Sequence, residues 1–574
     1  MWAKKLFGAF AALSLVLAAC GTGAPSSSAP AGSANPSASA SAGGERAEDQ
    51  TLHLAGGEPP TLDPTIATDS ASIQLLTSLQ RPLVFFNKDL EITPDGGLAE
   101  SWDISSDGKT ITFHLKDGLK YSDGNPIVAD DFVYSWKRLV DPRTAAGYSY
   151  VMGDVVGGSE LLGLDPDKLP PDSEIDGMLA KLGVKAPDPK TFVVSLTSAA
   201  SYFPYIATLW VTAPLEKSWV ESSDKFTEAA NYVSSGPFTL KTWDHNSKVV
   251  MVPNPEWGGD KPQLSAVELT VIDDAAQQYQ AYQNGEIDIT AVPSANIQQV
   301  KNDADLSAQL LSGDVLATYY VGFDLNPKDD KSPVENKDLR WALSQSIDRQ
   351  QLIDTVRFGI GSPATSMVPP GMPGHQEDIG LKFDVDAAKA SLQKALTGLG
   401  LSSVSDLNGK LKLGYNTGGG AAHEDIMQFI QNQWKTNLGL EVTLEPQEWA
   451  AYLDALTKAP PDIFRLGWSA DYPHPNNFLR DVFECGSGNN NMDYCNKDFD
   501  DLLNQAAVAP DLKAQIPLYN KAQEMLVDDA PVVFIYWYGR FSLVKPYVKD
   551  LVPTAQDSNT GSYFYDKIWI AKHD

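Results

Sequence analysis

Val532-Val533-Phe534-Ile535-Tyr536-Trp537-Tyr538 is a continuous apolar and aromatic run that reads as a strand. Just before it, Leu512, Ile516, Tyr519 and Leu526 recur at helical spacing. Two more stripes of that period follow upstream: Phe499, Leu502, Leu503 and Ala506, then Leu339, Ala342, Leu343 and Ile347. Nearer the start the period changes to two. Ile111, Phe113 and Leu115 alternate with polar neighbours, as do Phe192, Val194 and Leu196, and both segments read as strands. Tyr121-Ser122-Asp123-Gly124-Asn125-Pro126 is a turn by its own chemistry. Strand and helix signals therefore alternate from about Thr51 onward, with no repeat of fixed period, and the fold class is mixed α/β.

The 574 residues are 43% hydrophobic and 10% aromatic, enough to bury a large core in two to four structural units. A net charge of −30 excludes a surface built to neutralise phosphates, so no nucleic-acid partner is expected. Only the stretch near the start is long and apolar enough to engage a membrane, which argues against an integral membrane protein.

That first stretch is an export signal. Lys4 and Lys5 form a basic n-region, and Leu6 to Val16 is an apolar h-region too short for a span. Leu17-Ala18-Ala19-Cys20 resembles the lipobox of bacterial lipoproteins, so residues 1–19 are read as a signal peptide and Cys20 as the lipidated residue. An ordinary signal peptide with an incidental cysteine is the alternative. From Gly21 to Gly44 all residues but Thr22 and Asn35 are Gly, Ala, Ser or Pro, a composition that cannot order itself, and residues 20–50 are read as the anchor and tether. Anchoring through the lipid at the outer face of the cell membrane follows. Outside the membrane the two remaining cysteines, Cys485 and Cys495, are expected to form a disulfide around a polar loop. The rival is a pair of metal-binding thiols, but neither a nearby histidine nor a third thiol supports it, and no metal site is expected.

A search for catalysis finds no G-x-S-x-G elbow, phosphate-binding loop or dinucleotide fingerprint. His423-Glu424 lacks the second histidine of a zincin helix. No enzyme and no cofactor are expected, although an exported hydrolase whose groups meet only in three dimensions stays open.

Several segments resemble the bacterial extracellular solute-binding proteins of family 5, the peptide-binding lipoproteins of ABC importers. They are Gly56-Gly57-Glu58-Pro59-Pro60-Thr61-Leu62-Asp63-Pro64, Leu98-Ala99-Glu100-Ser101-Trp102, Tyr134-Ser135-Trp136-Lys137-Arg138, Ser235-Gly236-Pro237-Phe238, Asn284-Gly285-Glu286-Ile287-Asp288, Asp338-Leu339-Arg340-Trp341-Ala342-Leu343 and Arg465-Leu466-Gly467-Trp468-Ser469-Ala470-Asp471-Tyr472. They run in family order, and the oligopeptide branch fits better than the dipeptide or nickel branch.

The last of these segments also fits on physical grounds. A free peptide carries an ammonium, a carboxylate and strand-like amides, so its receptor needs an acid, a base and exposed backbone. The resemblance implies that Asp471 pairs with the ligand ammonium and that backbone at Gly467 and Ser469 bonds the extended chain; the plainer role for Asp471 is to cap a turn before Pro473. Arg465, His423 and Arg357 fall where the family places cationic partners for the peptide carboxylate. His423 also suits an ordinary helix start, and Arg357 a surface charge. A fourth such position is Leu456, a departure that leaves the range of peptide lengths open. Trp449, Tyr148 and Trp537 are the expected aromatic walls, with burial in the core as the alternative for each.

The resemblance implies a periplasmic-binding-protein-like two-lobe clamp (type II, class C) with an additional domain. Residues 51–80, 215–316 and 538–574 would form lobe I, 81–214 an inserted domain II, and 317–537 lobe III. The function it implies is capture of short peptides between the lobes and delivery to ABC permease subunits, by a monomer that performs no chemistry. A sugar, an opine or a nickel chelate in the same fold is the competing ligand class.

Overall fold

Strand β1 (Thr51–Gly56) opens the body of the computed structural model, which describes residues 44–325, 332–417, 422–557 and 559–573. The signal segment 1–19 and Cys20 lie outside the described residues. Residues 45–50, assigned above to the tether, are instead held against the C-terminal segment. Ala47 N–H donates to Ile570 O at 3.0 Å, Lys572 N–H to Glu45 O at 2.6 Å and Gln50 Nε2 to Ile570 O at 2.7 Å. Glu45 marks the change from a Gly/Ala/Ser sequence to one with side chains able to make such bonds.

Between β1 and its sheet partners lies a separate antiparallel sheet of β2 (Ala99–Ile104), β3 (Thr110–Leu115), β4 (Val184–Asp188) and β5 (Thr191–Ser195), ordered β2-β3-β5-β4. Period-two alternation puts Ile111, Phe113, Phe192 and Val194 on one buried face. The helix Ala129–Val140 covers that face, its Trp136 ring standing edge-on to Phe192 at 4.9 Å. The chain then returns through β6 (Phe238–Asp244), β7 (Lys248–Pro253) and β8 (Ala266–Val271), giving the order β1-β8-β7-β6 with β1 parallel to β8.

The largest sheet is built from β9 (Ile289–Ala291), β10 (Leu310–Phe323), β11 (Ser362–Pro363), β12 (Lys412–Asn416), β13 (Thr443–Gln447), β14 (Ile463–Ser469) and β15 (Val532–Val544). Its order is β9-β15-β10-β14-β12-β13, with β11 also on β15. Helices Lys337–Gln345 and His423–Leu438 bury Leu339, Ile426 and Trp434 on one face, with Tyr319, Ile535 and Tyr536 of the strands. Helices Pro475–Phe483, Lys497–Ala507 and Leu512–Asp529 close the other face with Phe478, Phe499 and Tyr519, over Phe534 and Trp537. The run at 532–538 is thus covered on both sides, which is why it carries no polar alternation.

Strand β15 extends six residues beyond that run to Val544, and its register against β10 shifts twice, between Asp314 and Thr318 and between Tyr319 and Tyr320. Leu310↔Leu543 to Asp314↔Gly539 are in one register, and Thr318↔Trp537 begins another. The first shift spans Asp314 to Thr318 on β10 and Gly539 to Trp537 on β15. Gly361 packs there at a φ of +85°, so close that an added Cβ would lie 2.4 Å from Trp537 O, and only glycine fits.

Cys485 and Cys495 are joined by a disulfide. Among the described residues no helix is long and apolar enough to cross a membrane, and no cluster of His, Cys, Asp and Glu could hold a metal ion.

Candidate functional site

Strand β14 has one satisfied edge and one open edge. Along its whole length it pairs with β10, from Ala317↔Ser469 to Phe323↔Ile463. On the other side β12 meets it only at Leu413↔Ile463 and Gly414↔Phe464. Ala470 N–H donates to Leu316 O on the β10 side at 2.7 Å, so strand alternation turns the amides of Gly467 and Ser469 toward the open edge. The Arg465 carbonyl faces the same way and is met by the Tyr452 hydroxyl at 2.6 Å. Gly467 has the Tyr538 hydroxyl 3.4 Å from where a Cβ would stand, so a side chain there would crowd the edge.

Asp471 sits just past the C-terminal end of β14. The Tyr148 hydroxyl donates to its Oδ1 at 3.2 Å, and the Tyr150 hydroxyl and Asn477 Nδ2 donate to Oδ2, both at 2.9 Å. Asn477 Oδ1 accepts from the Asp471 N–H at 2.9 Å and from Trp468 Nε1 at 3.1 Å. The same Nδ2 also reaches Asp481 Oδ2 at 2.9 Å, so one amide bridges two carboxylates. Burial pushes the Asp471 carboxyl up from its ordinary range, against the pull of these three donors. Burial, aided by the negative charge of Asp471, raises Asp481 to about 7 although Asn477 and Tyr472 donate to it. Every partner of Asp471 given above is neutral, and a half-buried anion in neutral company attracts a cation.

The opposite end of β14 is cationic. Arg465 is 7% exposed, its Nη1 donates to Asn416 Oδ1 at 2.9 Å, and its Cζ lies 4.5 Å over the Tyr319 ring. Tyr319 stacks on Tyr536 at 4.8 Å, and Arg357 covers the far side of Tyr536 at 4.8 Å. The four side chains form a sandwich with guanidinium groups outside and phenol rings between. Among the described residues neither guanidinium pairs with a carboxylate, and Arg465 Nε, Arg357 Nε and the Tyr536 hydroxyl are buried without hydrogen-bond partners. His423 is the first residue of its helix and is buried, its Nδ1 3.1 Å from the Tyr319 hydroxyl. Burial, and then the charges of Arg465 and Arg357, lower its pKa to about 4, so at neutral pH it is an uncharged imidazole.

A cavity of about 590 Å³ runs beside this sheet, with Leu54, Thr290, Phe541, Arg357, Ser469 and Ala470 among its lining residues. Gln556, which also lines it, donates to the Ala470 carbonyl at 2.7 Å. Asp471 is the next residue.

The structure therefore brings Asp471, Gly467, Ser469, Arg465, His423 and Arg357 onto one strand and its immediate surroundings, with Tyr148 reaching in from the inserted sheet region. Trp449 begins the helix Trp449–Lys458 and is 43% exposed, 6.3 Å from Tyr452. Leu456 is buried in the core. Trp537 is not on the cavity wall: adjacent strand residues face opposite ways, so Tyr536 points to the arginine cluster while Trp537 is buried and donates to Ser366 O at 3.1 Å. Tyr150 and Asn477 were missed as site residues by sequence reading. Tyr150 stands two residues from Tyr148, but nothing local marks Asn477.

The sequence profile of the bacterial extracellular solute-binding proteins, family 5 (middle), matches residues 93–490. The oligopeptide-binding protein OppA of Bacillus subtilis is 33% identical over 540 residues, spanning 91% of this chain and 92% of its own. Among solved structures, the unliganded open form of the periplasmic murein tripeptide-binding protein MppA superposes with a TM-score of 0.75 at 30% identity, covering 93% of this chain and 99% of that one. Haemophilus influenzae OppA in complex with the peptide RPPGFSPFR gives 0.71 at 28% identity, covering 92% and 100%. The two-lobe clamp with an added domain is the shared fold, and the chain belongs to family 5 of the bacterial extracellular solute-binding proteins.

Proposed function

We propose that this solute-binding protein captures short peptides in extended form along the open edge of β14, amino end at Asp471 and carboxyl end toward Arg465, Arg357 and His423. The observation that carries the reading is the half-buried Asp471 carboxylate, supplied with neutral donors and with no cation among the described residues, at one end of a strand whose other end holds guanidinium groups that no described carboxylate neutralises. Six residue steps from 465 to 471 span roughly 20 Å, room for about four to six extended residues. Gly467 and Ser469 offer main-chain bonds that read no side chain, so sequence tolerance follows.

Closure is differential binding to two conformers. The first register shift, between Asp314 and Thr318 of β10, supports placing the hinge there, near the border expected between the lobes. The closed form delivers peptide to an ABC permease, the protein acts as a monomer without chemistry on its ligand, and lipidated Cys20 holds it at the outer face of the membrane. Incorporation of a labelled fatty acid, lost in Cys20→Ser, tests the anchor. Native mass spectrometry of the purified protein tests the ligand class: co-purified intact peptides are expected, and a sugar or metal chelate in their place overturns the reading.

A further inference from the structure

The inserted region meets the helical layer of the largest sheet through hydrogen bonds gathered on one serine. Ser201 donates twice to the Ala507 carbonyl, through its N–H at 3.0 Å and its hydroxyl at 2.9 Å. Ala507 ends the helix Lys497–Ala507, and a carbonyl of that last turn has no partner within its own helix. The Ser201 hydroxyl in turn accepts from Gln515 Nε2 at 2.7 Å, and Gln515 Oε1 lies 2.8 Å from His474 Nε2.

His474 sets the direction of this chain. As the cap of the helix Pro475–Phe483 its Nδ1 accepts the Asn476 N–H at 3.2 Å, so the ring proton sits on Nε2 and is donated to Gln515. Burial lowers its pKa to about 4, although the bond to Gln515 favours the charged ring, and at pH 7 the imidazole is neutral. Tyr205 of the inserted region packs on this ring at 4.8 Å, and Tyr519 at 5.6 Å. The bonds therefore run without a gap from Ser201 to the helix whose Asn477 holds Asp471. The inserted region also supplies Tyr148 and Tyr150, the other two donors to that carboxylate. Ser201, Gln515 and His474 do not line the cavity beside β14. A contact between bodies that part is more polar than a core, because each side must stand in water when separated. A serine, a glutamine, a histidine and an unfilled carbonyl have that character.

We propose that this seam is a latch: it forms as the inserted region closes on lobe III, parts as the cleft opens, and makes Ser201, Gln515 and His474 positioning residues for peptide capture. The inference rests on the two-lobe capture reading above and on the borders expected from the sequence. With the cleft open, Ser201, Gln515 and the Ala507 carbonyl are met by water. With it closed and Gln515 removed, the His474 N–H is buried without an acceptor. The seam stabilises the closed form alone, by the same amount whatever peptide is held.

The test compares full-length wild type with Gln515→Leu and Ser201→Ala, using tetra-alanine with a free or an acetylated amino end. Stopped-flow tryptophan fluorescence reads release, calorimetry reads affinity and thermal unfolding reads stability. Gln515→Leu should speed release of tetra-alanine about ten-fold and Ser201→Ala about five-fold, while the unfolding midpoint of the peptide-free protein stays unchanged. Ser201→Thr, which keeps the hydroxyl, should release at the wild-type rate. Ser201 is half-buried and loses a single atom in Ser201→Ala, so that variant decides the matter if Gln515→Leu does not fold. The preference for the free over the acetylated peptide should be the same in every variant. Its absence from the wild type would overturn the role of Asp471, while the latch would still stand or fall on the release rates. Release at the wild-type rate in both variants, or an equal drop in midpoint with and without peptide, would overturn the latch, since the seam would then be permanent packing.

Discussion

The two ends of β14 solve the same problem, holding charge out of water, in opposite ways. At the Asp471 end one carboxylate receives three directed hydrogen bonds from Tyr148, Tyr150 and Asn477. At the Arg465 end two guanidinium groups are spread over stacked phenol rings, with nitrogens left unbonded and a histidine beside Tyr319 kept neutral. Directed bonds fix a position; a ring face accepts a cation over a broad area. In the proposed binding mode the acid end would register the first residue of a peptide, and the basic end would meet its last residue at more than one distance.

The largest way to break this contrast is Asp471→Asn, which keeps the shape and removes the charge. Affinity for free-amine peptides should fall about 100-fold, roughly 3 kcal/mol, while N-acetylated peptides are unaffected; an equal loss for both would make Asp471 a structural residue only. Arg465→Gln should cost less, about ten-fold, because Arg357 remains, and the loss should vanish when the peptide is C-terminally amidated. Titration by calorimetry reads both.

The asymmetry should also show in pH. Asp481 rests at about 7, so lowering the pH from 8 to 6 protonates it and withdraws negative charge from the acid end. Peptide affinity should fall a few-fold over that interval, and Asp481→Asn should flatten the profile. His423 contributes nothing there, since its pKa near 4 keeps it neutral throughout. Tyr150→Phe removes one of the three donors and should weaken binding about three-fold. Smallest is the disulfide: Cys485→Ser with Cys495→Ser removes at most about 3 kcal/mol of stability in the loop-entropy account, and should leave peptide affinity unchanged.

How much of this was legible in the sequence follows the range of the interactions. The strand run at 532–538 and the helical stripes were readable because burial imposes a local period, and the order of segments carried the family. Arg465 and Asp471 were readable because both lie in one strand and its exit. Trp537, expected as a wall with core burial as the alternative, is buried, while its neighbour Tyr536 has the same chemistry; a one-residue step decides which face each occupies. Asn477 was invisible because its role is a tertiary coincidence: a helix turn places its amide between two carboxylates. The phenol stack of Tyr319 and Tyr536 joins residues more than two hundred positions apart, and no local pattern announces it. The register break between β10 and β15 is likewise a property of pairing.

The most direct test of the central claim is a tryptophan-fluorescence titration of the wild-type protein with one short peptide in two forms, free and N-acetylated. The account predicts that the free amine binds at least about 100-fold more tightly, because only it brings the cation that Asp471 lacks. Equal affinity for the two forms would contradict it.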